Sequence, residues 1–154
     1  MSKNLFSLIL FTAVIAACSS TKHSNISMIK QGITGFVYEV KGNQMPMIGE
    51  ELPKPKGVAT TVFIYEATNI NQVQRVGVST FYTAIYTKQI ASVQSDSTGK
   101  FSMELPPGNY SLFVKIGEKY YANRFNEKND INLYNVDEDK VTDGRITINY
   151  AAAY

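Results

Sequence analysis

The side chains that most often carry out catalysis are scarce in this sequence. It holds one cysteine, Cys18, and one histidine, His23, both near the amino terminus. A Ser-His-Asp triad needs a histidine to take the serine proton, and a histidine-based zinc site needs imidazole ligands. Because His23 lies in a polar stretch ahead of the first strand pattern, the sequence excludes both arrangements from the folded domain.

Carboxylates form two clusters that a hydrolase could use. Glu50 and Glu51 form one, and Asp137, Glu138 and Asp139 form the other. A glycosidase holds two carboxyl groups roughly 5–10 Å apart across a cleft, whereas both clusters lie in stretches that are typical of loops. Solvated loop charge is the favoured interpretation, and a hydrolase with an unrecognised carboxylate pair is an alternative.

Cofactor and metal motifs are missing from the sequence. It contains no GxGxxG and no GxxxxGK, and the acidic stretch 128–144 departs from the EF-hand pattern. The segment Asp96-Ser97-Thr98 offers one carboxylate, which is too few for a calcium site. We therefore expect neither a metal nor a cofactor.

Aromatic residues are the remaining candidates for contact with a ligand or partner. Tyr82, Tyr86, Tyr120 and Tyr121 could form an exposed surface for a protein or a sugar, because tyrosine is apolar with one polar tip. Tyr120 and Tyr121 are adjacent, so on a strand they point to opposite faces and at least one could meet solvent. Packing in the core or at its rim is the favoured alternative.

The residues that precede Cys18 indicate its role. Lys3 supplies a positive charge, residues 5–17 are apolar apart from Ser7 and Thr12, and small residues directly precede the cysteine. This layout is typical of a secretory signal peptide. The apolar run is shorter than the roughly 20 residues that a membrane-spanning helix needs.

The segment Ile15-Ala16-Ala17-Cys18 resembles the lipobox of bacterial lipoprotein precursors. The resemblance implies acylation of the Cys18 sulfur, cleavage before Cys18, and anchoring in a membrane, which several acyl chains make stable. It also implies a bacterial envelope location. We expect the outer membrane, because Ser19 is not the aspartate that retains some lipoproteins at the inner membrane. A buried structural cysteine is the alternative.

The composition of the remaining chain predicts one β-rich domain. With 15 basic and 13 acidic residues and no Lys/Arg run, the chain shows no sign of nucleic-acid binding. Tyrosine, phenylalanine and β-branched residues are abundant, which favours strands. We predict a signal peptide at 1–17, a polar tether at 18–31 and one folded domain at 32–154.

Alternating apolar residues between turn signals predict about seven strands. The predicted strands cover residues 32–42, 58–67, 90–95, 101–105, 110–116, 119–125 and 145–150. Segments 42–56 and 126–144 are predicted loops, and 67–89 is predicted to be a loop followed by a strand or short helix. With no long amphipathic helix after the signal helix, the pattern predicts an all-β antiparallel sandwich, Ig-like or transthyretin-like.

Residues 93–114, VQSDSTGKFSMELPPGNYSLFV, resemble the carboxypeptidase regulatory-like domains, a branch of the transthyretin-like (prealbumin-like) β-sandwiches. The matching positions are Ser95-Asp96, Gly99, Phe101, Leu105-Pro106, Gly108 and Tyr110. The resemblance implies a hairpin turn at 96–99 and core positions for Phe101, Leu105 and Tyr110. It implies little about chemistry, since such modules are attached to many unrelated proteins. Hydrolases among the relatives use histidines and a C-terminal Tyr-Arg-Gly-Ser motif, whereas this chain ends in Tyr-Ala-Ala-Ala-Tyr.

These observations favour a non-enzymatic, lipid-anchored envelope protein that presents a β-sandwich, with its 42–56 and 67–89 segments, to a structural or protein partner. A carbohydrate- or peptide-binding accessory lipoprotein of an outer-membrane uptake complex is an alternative. The expected partners are the membrane, through the N-terminal lipid, and an envelope protein or glycan. Edge strands could also add to the sheet of a partner.

Overall fold

The computed structural model describes residues 29–46, 48–49 and 51–154. The predicted signal peptide, Cys18, His23 and most of the predicted tether lie outside the described residues. Within them the chain forms strands and one 3-10 turn at Ile70–Gln72, with no α-helix. The all-β prediction is therefore confirmed.

The described residues form thirteen strands. In chain order they are β1 Gly32–Glu39, β2 Gly42–Asn43, β3 Lys56–Gly57, β4 Thr61–Glu66, β5 Val73–Arg75, β6 Phe81–Ile85, β7 Gln89–Gln94, β8 Lys100–Glu104, β9 Gly108–Ile116, β10 Lys119–Tyr121, β11 Leu133–Val136, β12 Val141–Ile148 and β13 Ala152–Ala153.

The smaller sheet is built around β1. β12 lies on one side of β1, and β8 and β3 lie on the other side. β8 and β3 run antiparallel to β1, whereas β12 runs parallel to it, with Gly35 opposite Gly144. A side chain on Gly35 would place its Cβ 1.6 Å from the Gly144 carbonyl oxygen, so this approach requires glycine. The β1–β12 pair is thus an exception in a mainly antiparallel sandwich.

The larger sheet has the strand order β5-β6-β10-β9-β4-β7, and β11 also pairs with β9. Its pairs are antiparallel throughout. Gly117 and Glu118 form the predicted two-residue loop between β9 and β10. Gly117 has φ +58, which glycine adopts readily. A short parallel ribbon of β2 and β13 lies outside both sheets.

The larger sheet has apolar side chains on both faces. Val62 and Ile64 of β4 belong to the core between the two sheets, which also contains Phe101, Leu105 and Tyr110 at the positions expected for them. Tyr65 lies on the opposite face of β4 and belongs to a separate group of apolar residues, which we call the outer cluster. The buried members of this outer cluster are Tyr65, Tyr82, Phe113, Ala122 and Ile131.

The turn at 96–99 forms, but the expectation that it closes a hairpin is wrong, because β7 before it lies in the larger sheet and β8 after it lies in the smaller one. The turn therefore connects the two sheets. Asp96 Oδ1 accepts hydrogen bonds from Thr98 N at 2.8 Å, Thr98 Oγ1 at 2.6 Å and Lys100 N at 3.0 Å. Gly99 has φ +85, and its carbonyl accepts a hydrogen bond from Val37 N at 2.8 Å. The turn thus fastens the larger sheet to the central strand of the smaller one.

The predicted loops 42–56 and 126–144 both contain strand residues, and in the first of them these are β2 and Lys56 of β3. The 126–144 loop prediction is wrong at β11, where Tyr134 and Val136 are buried although polar residues flank the strand. The last long strand begins at Val141, ahead of the predicted start at 145. Segment 67–89 contains the 3-10 turn, β5 and β6, in keeping with its predicted mixture of loop and strand or helix.

Candidate binding groove

Two of the four candidate contact tyrosines, Tyr82 and Tyr121, are core residues. Both side chains are fully buried. The Tyr82 hydroxyl donates to the Ala122 carbonyl at 3.2 Å, and the Tyr121 hydroxyl donates to Asn149 Oδ1 at 2.8 Å. Burial raises the pKa of Tyr82 to about 12 and also raises the pKa of Tyr121. Packing in the core, the favoured interpretation, therefore describes Tyr82 and Tyr121, and as buried rings they offer no exposed surface to a partner.

Tyr86 and Tyr120 are more accessible, but they do not form a joint site. Tyr86 is 67% exposed and its hydroxyl lies 3.5 Å from Gln74 Oε1. Tyr120 is half-buried against the outer cluster, with its ring edge-on to Phe63 at 5.3 Å between ring centroids. Tyr121 packs in the core between the sheets. Tyr120 and Tyr121 therefore point to opposite faces, as the strand pattern predicts.

The carboxylate clusters form no cleft among the described residues. Glu50 lies outside them, and Glu51 is exposed. Asp137 pairs with Lys140 at 3.1 Å on the surface. No three His, Cys, Asp or Glu side chains in the described ranges come together as metal ligands would. The same ranges hold no helix with the length and hydropathy to cross a membrane.

The outer face of the smaller sheet carries a groove that the sequence analysis did not single out. Its volume is about 300 Å³, and it is lined by Tyr38, Pro55, Arg145 and Thr147. Strand geometry places these side chains there. Val37 of β1 points into the core, so its neighbour Tyr38 points outward. On β12 the buried Ile146 likewise directs Arg145 and Thr147 outward.

An aromatic pair and a cation define the chemistry of this groove. The rings of Phe36 and Tyr38 stack at 5.6 Å with 12° between their planes. The Arg145 guanidinium lies over the Tyr38 ring, with Cζ 5.6 Å from the ring centroid. The backbone of Arg145 is held in place by Tyr134, because the Tyr134 hydroxyl donates a hydrogen bond to the Arg145 carbonyl oxygen at 2.5 Å. The groove therefore presents an oriented guanidinium beside two rings.

The Arg145 guanidinium favours an anionic ligand, and one acidic residue, the exposed Asp143, shares its face of β12. Arg145 is exposed and forms no ion pair with any described residue. The ion pairs among the described residues join Lys41 to Glu39, Lys115 to Glu118 and Lys140 to Asp137. Lys100 of β8 stands opposite Phe36 on the other side of β1. A guanidinium can donate two parallel hydrogen bonds to a carboxylate, and its planar shape suits stacking on an aromatic ring.

Comparisons with known proteins identify no relative of this chain. No protein-family model matches it, and neither the curated proteins nor the solved structures yield a match. The resemblance to carboxypeptidase regulatory-like domains stays a prediction, and the groove must be interpreted from its own geometry.

A second depression of about 620 Å³ lies beside the loop 125–130. Asn126 Nδ2 donates to Asp130 Oδ2 at 2.9 Å, and Asn69 Nδ2 donates to Asp130 Oδ1 at 3.1 Å. Hydrogen bonds from Asn126 and then Asn69 lower the pKa of Asp130. These polar groups bind one another and so stabilise the loop. Their donors and acceptors are therefore less available to a ligand than the Arg145 guanidinium is.

The sequence did contain a signal for the groove. β1 alternates so that Ile33 and Val37 face inward and Phe36 and Tyr38 face outward, which leaves both faces of the strand rich in apolar atoms. An antiparallel sheet with one solvated face normally shows polar residues on that face. Two aromatic residues at the outward positions therefore indicate a contact surface, but only the fold places Arg145 next to them.

Proposed function

We propose that this chain is a non-enzymatic, lipid-anchored binding protein of the bacterial envelope that presents the Tyr38–Arg145 groove to a protein partner through a carboxylate of that partner. One observation carries the proposal. In the groove, the Arg145 guanidinium is oriented by the Tyr38 ring and has no acidic partner among the described residues.

The placement of Arg145 supports binding in two ways. Contact with a ring restricts the side chain before the ligand arrives, which lowers the entropy cost of fixing it. Charge-assisted hydrogen bonds from a guanidinium to a carboxylate are also stronger than bonds between neutral groups. Arginine and tyrosine are enriched among the residues that contribute most to protein–protein binding.

A protein carboxylate is favoured over a neutral sugar as the ligand. Sugars bind proteins largely through free aromatic faces, and the Tyr38 ring already contacts Phe36 and Arg145. The charged group that remains available is the guanidinium. The glycan alternative is therefore best represented by an acidic oligosaccharide, which the binding experiment below includes.

The binding experiment uses hexaglutamate as its probe, with hexaglutamine and an oligogalacturonate for comparison. The variant Arg145→Gln loses one charge-assisted hydrogen-bonding partner, so it should bind hexaglutamate roughly tenfold more weakly than the parent chain does. Arg145→Lys keeps the positive charge and should retain part of the affinity. Arg75→Gln is the matched control, because Arg75 also lies over an aromatic ring, with Cζ 5.9 Å from the Phe125 centroid, at a place away from the groove.

Two results of this titration would count against the proposal. Equal hexaglutamate affinity for the parent chain and Arg145→Gln would show that the groove does not recognise carboxylates. Tighter binding of oligogalacturonate than of hexaglutamate would favour the glycan alternative. Isothermal calorimetry on each variant measures both comparisons directly.

The anchor is supported by the lipobox resemblance at residues 15–18, which lie outside the described residues. Cys18→Ser should prevent acylation and move the protein from the membrane fraction to the soluble fraction, or leave an uncleaved precursor. Fractionation and mass spectrometry of the amino terminus distinguish these outcomes from a membrane fraction that does not change, which would contradict lipid anchoring.

A further inference from the structure

Lys100 of β8 lies on the same outer face of the smaller sheet as Arg145. Phe101 is buried in the core between the sheets, so its neighbour Lys100 points outward. Phe36 of β1 is paired with Arg145 on one side and with Lys100 on the other, and directly paired residues share a face. The three side chains therefore form one row across the sheet, with a cation at each end and an aromatic ring between them.

Lys100 has no acidic partner in the described part of the chain. Its side chain is partly exposed and forms no ion pair there. Asp96 is near enough to interact with Lys100 electrostatically, but its Oδ1 accepts hydrogen bonds from Thr98 and from the Lys100 amide, not from the ammonium. The Lys100 ammonium is therefore available to an anion from outside the chain.

The acidic residues of this face restrict the direction in which an anionic ligand lies. Asp143 precedes Arg145 on the outward face of β12, and Glu104 follows Lys100 on the outward face of β8. Both carboxylates lie on the side of the row toward the start of β1, so an acidic ligand that ran along either strand in that direction would be repelled. An acidic ligand that crosses the strands over Phe36 meets a cation at each end.

We propose that this row binds an extended acidic segment of a partner protein through two carboxylates, one at Arg145 and one at Lys100. The proposal rests on the proposed function of the groove and adds a second contact to it. Charge complementarity selects the ligand, because two cations without acidic partners stand on either side of Phe36.

The spacing of the two cations suits a Glu-x-Glu sequence. Two strand spacings separate the backbones of Arg145 and Lys100 by about 10 Å. Alternate side chains of an extended peptide lie about 7 Å apart on one face, and the flexible lysine side chain can bend to this shorter spacing. The Phe36 ring then lies beneath the peptide, between its two acidic side chains.

Calorimetric titration of the full-length chain, purified in a non-ionic detergent, tests the second contact. The probes are three capped peptides: Ser-Gly-Glu-Thr-Glu-Gly-Ser, the same peptide with glutamine in place of the second glutamate, and an isomer with the two glutamates adjacent. The parent chain should bind the first peptide roughly threefold more tightly than the second, as expected for one exposed ion pair. The isomer has the charge of the first peptide, but its carboxylates point to opposite sides, so it should bind more weakly.

Substitutions of Lys100 locate the effect. Lys100→Gln should remove the preference for two carboxylates and leave the affinity for the single-glutamate peptide nearly unchanged, whereas Lys100→Arg should keep the preference. Arg145→Gln should weaken the binding of both peptides. Lys119→Gln is the matched control, because Lys119 is a strand lysine without an ion pair among the described residues and belongs to the larger sheet. Circular dichroism of each variant verifies folding.

The outcomes separate this inference from the proposed function. Equal affinity of the parent chain for the first two peptides, or a preference that survives in Lys100→Gln, would overturn the second contact. If Arg145→Gln weakens the binding of both peptides and Lys100→Gln weakens neither, the groove keeps its proposed function and this inference alone fails. Peptide binding that Arg145→Gln leaves unchanged, or no binding of any peptide, contradicts both.

Two comparisons test the kind of ligand. An isomer that binds as tightly as the first peptide would show that charge alone, without the Glu-x-Glu spacing, determines affinity. Digalacturonate that binds more tightly than the first peptide would show that the row takes an acidic glycan and would contradict the protein segment proposed above.

Discussion

Replacement of Gly99 by alanine tests how closely the two sheets approach at the turn between β7 and β8. Gly99 has φ +85, and an added Cβ would lie 2.1 Å from the Val37 carbonyl oxygen. Gly77 has φ +56, and a Cβ there would meet no atom within 4 Å. Gly77→Ala therefore carries the backbone penalty alone, and Gly99→Ala carries the same penalty with a steric clash.

The expected magnitudes separate the two variants clearly. The left-handed conformation costs a residue with a Cβ about 1–2 kcal/mol, which is the full expected loss for Gly77→Ala. Overpacking adds about 1–3 kcal/mol at Gly99, where the displaced turn also strains the bond from Val37 N to Gly99 O. Gly99→Ala should therefore lower the free energy of unfolding by about 2–5 kcal/mol, a large part of the total for a typical domain.

Urea unfolding measures the difference between these variants. The chain has ten tyrosines and no tryptophan, so near-ultraviolet circular dichroism of the tyrosines reports loss of packing. Equal slopes with urea for both variants would show that only stability has changed. Free energies of unfolding within about 0.5 kcal/mol of each other would refute the close approach of Gly99 to β1.

Two further predictions concern pH. Burial raises the pKa of Tyr82 to about 12, above the unfolded value near 10. The folded state therefore keeps the Tyr82 proton to higher pH than the unfolded state does, and the free energy of unfolding should fall as pH rises between these two values. Measured by urea unfolding across this range, the free energy of unfolding of Tyr82→Phe should decline less steeply than that of the parent chain. Hydrogen bonds from Thr98 and then Lys100 lower the pKa of Asp96, so the contribution of Asp96 to stability is present above about pH 4 and is lost on acidification. Asp96→Asn should therefore be less stable than the parent chain at neutral pH. A difference in the free energy of unfolding that persists at acid pH would contradict this.

Local sequence patterns predicted the elements whose side chains alternate between clear turns. Phe101, Leu105 and Tyr110 lie in the core between the sheets, and residues 96–99 form the expected turn, which hydrogen bonds to Asp96 stabilise. β11 was missed because it is four residues long and lies between Asn and Asp residues that signal a loop. Its alternation, with Tyr134 and Val136 on one face, is too short to outweigh those neighbours.

Long-range pairing could not be predicted from the same patterns. The parallel alignment of β1 with β12 depends on the approach of Gly35 to Gly144, which are far apart in sequence. The candidate groove depends on that alignment, because it places Arg145 opposite Phe36 and beside Tyr38. Two of the four tyrosines chosen from the sequence are buried, since aromatic residues in strands fill cores as readily as they form contact surfaces.

The central position of β1 in the smaller sheet constrains the order in which the chain can assemble. β1 begins at Gly32, yet its two main neighbours are β8 and β12, which are made much later, and β12 ends only at Ile148. The larger sheet can form from β4 to β11 by pairings that are closer along the chain. Contacts between distant residues form slowly because a long loop must close first. During synthesis, Ile33 and Val37 of β1 would therefore stay uncovered until β12 has been made.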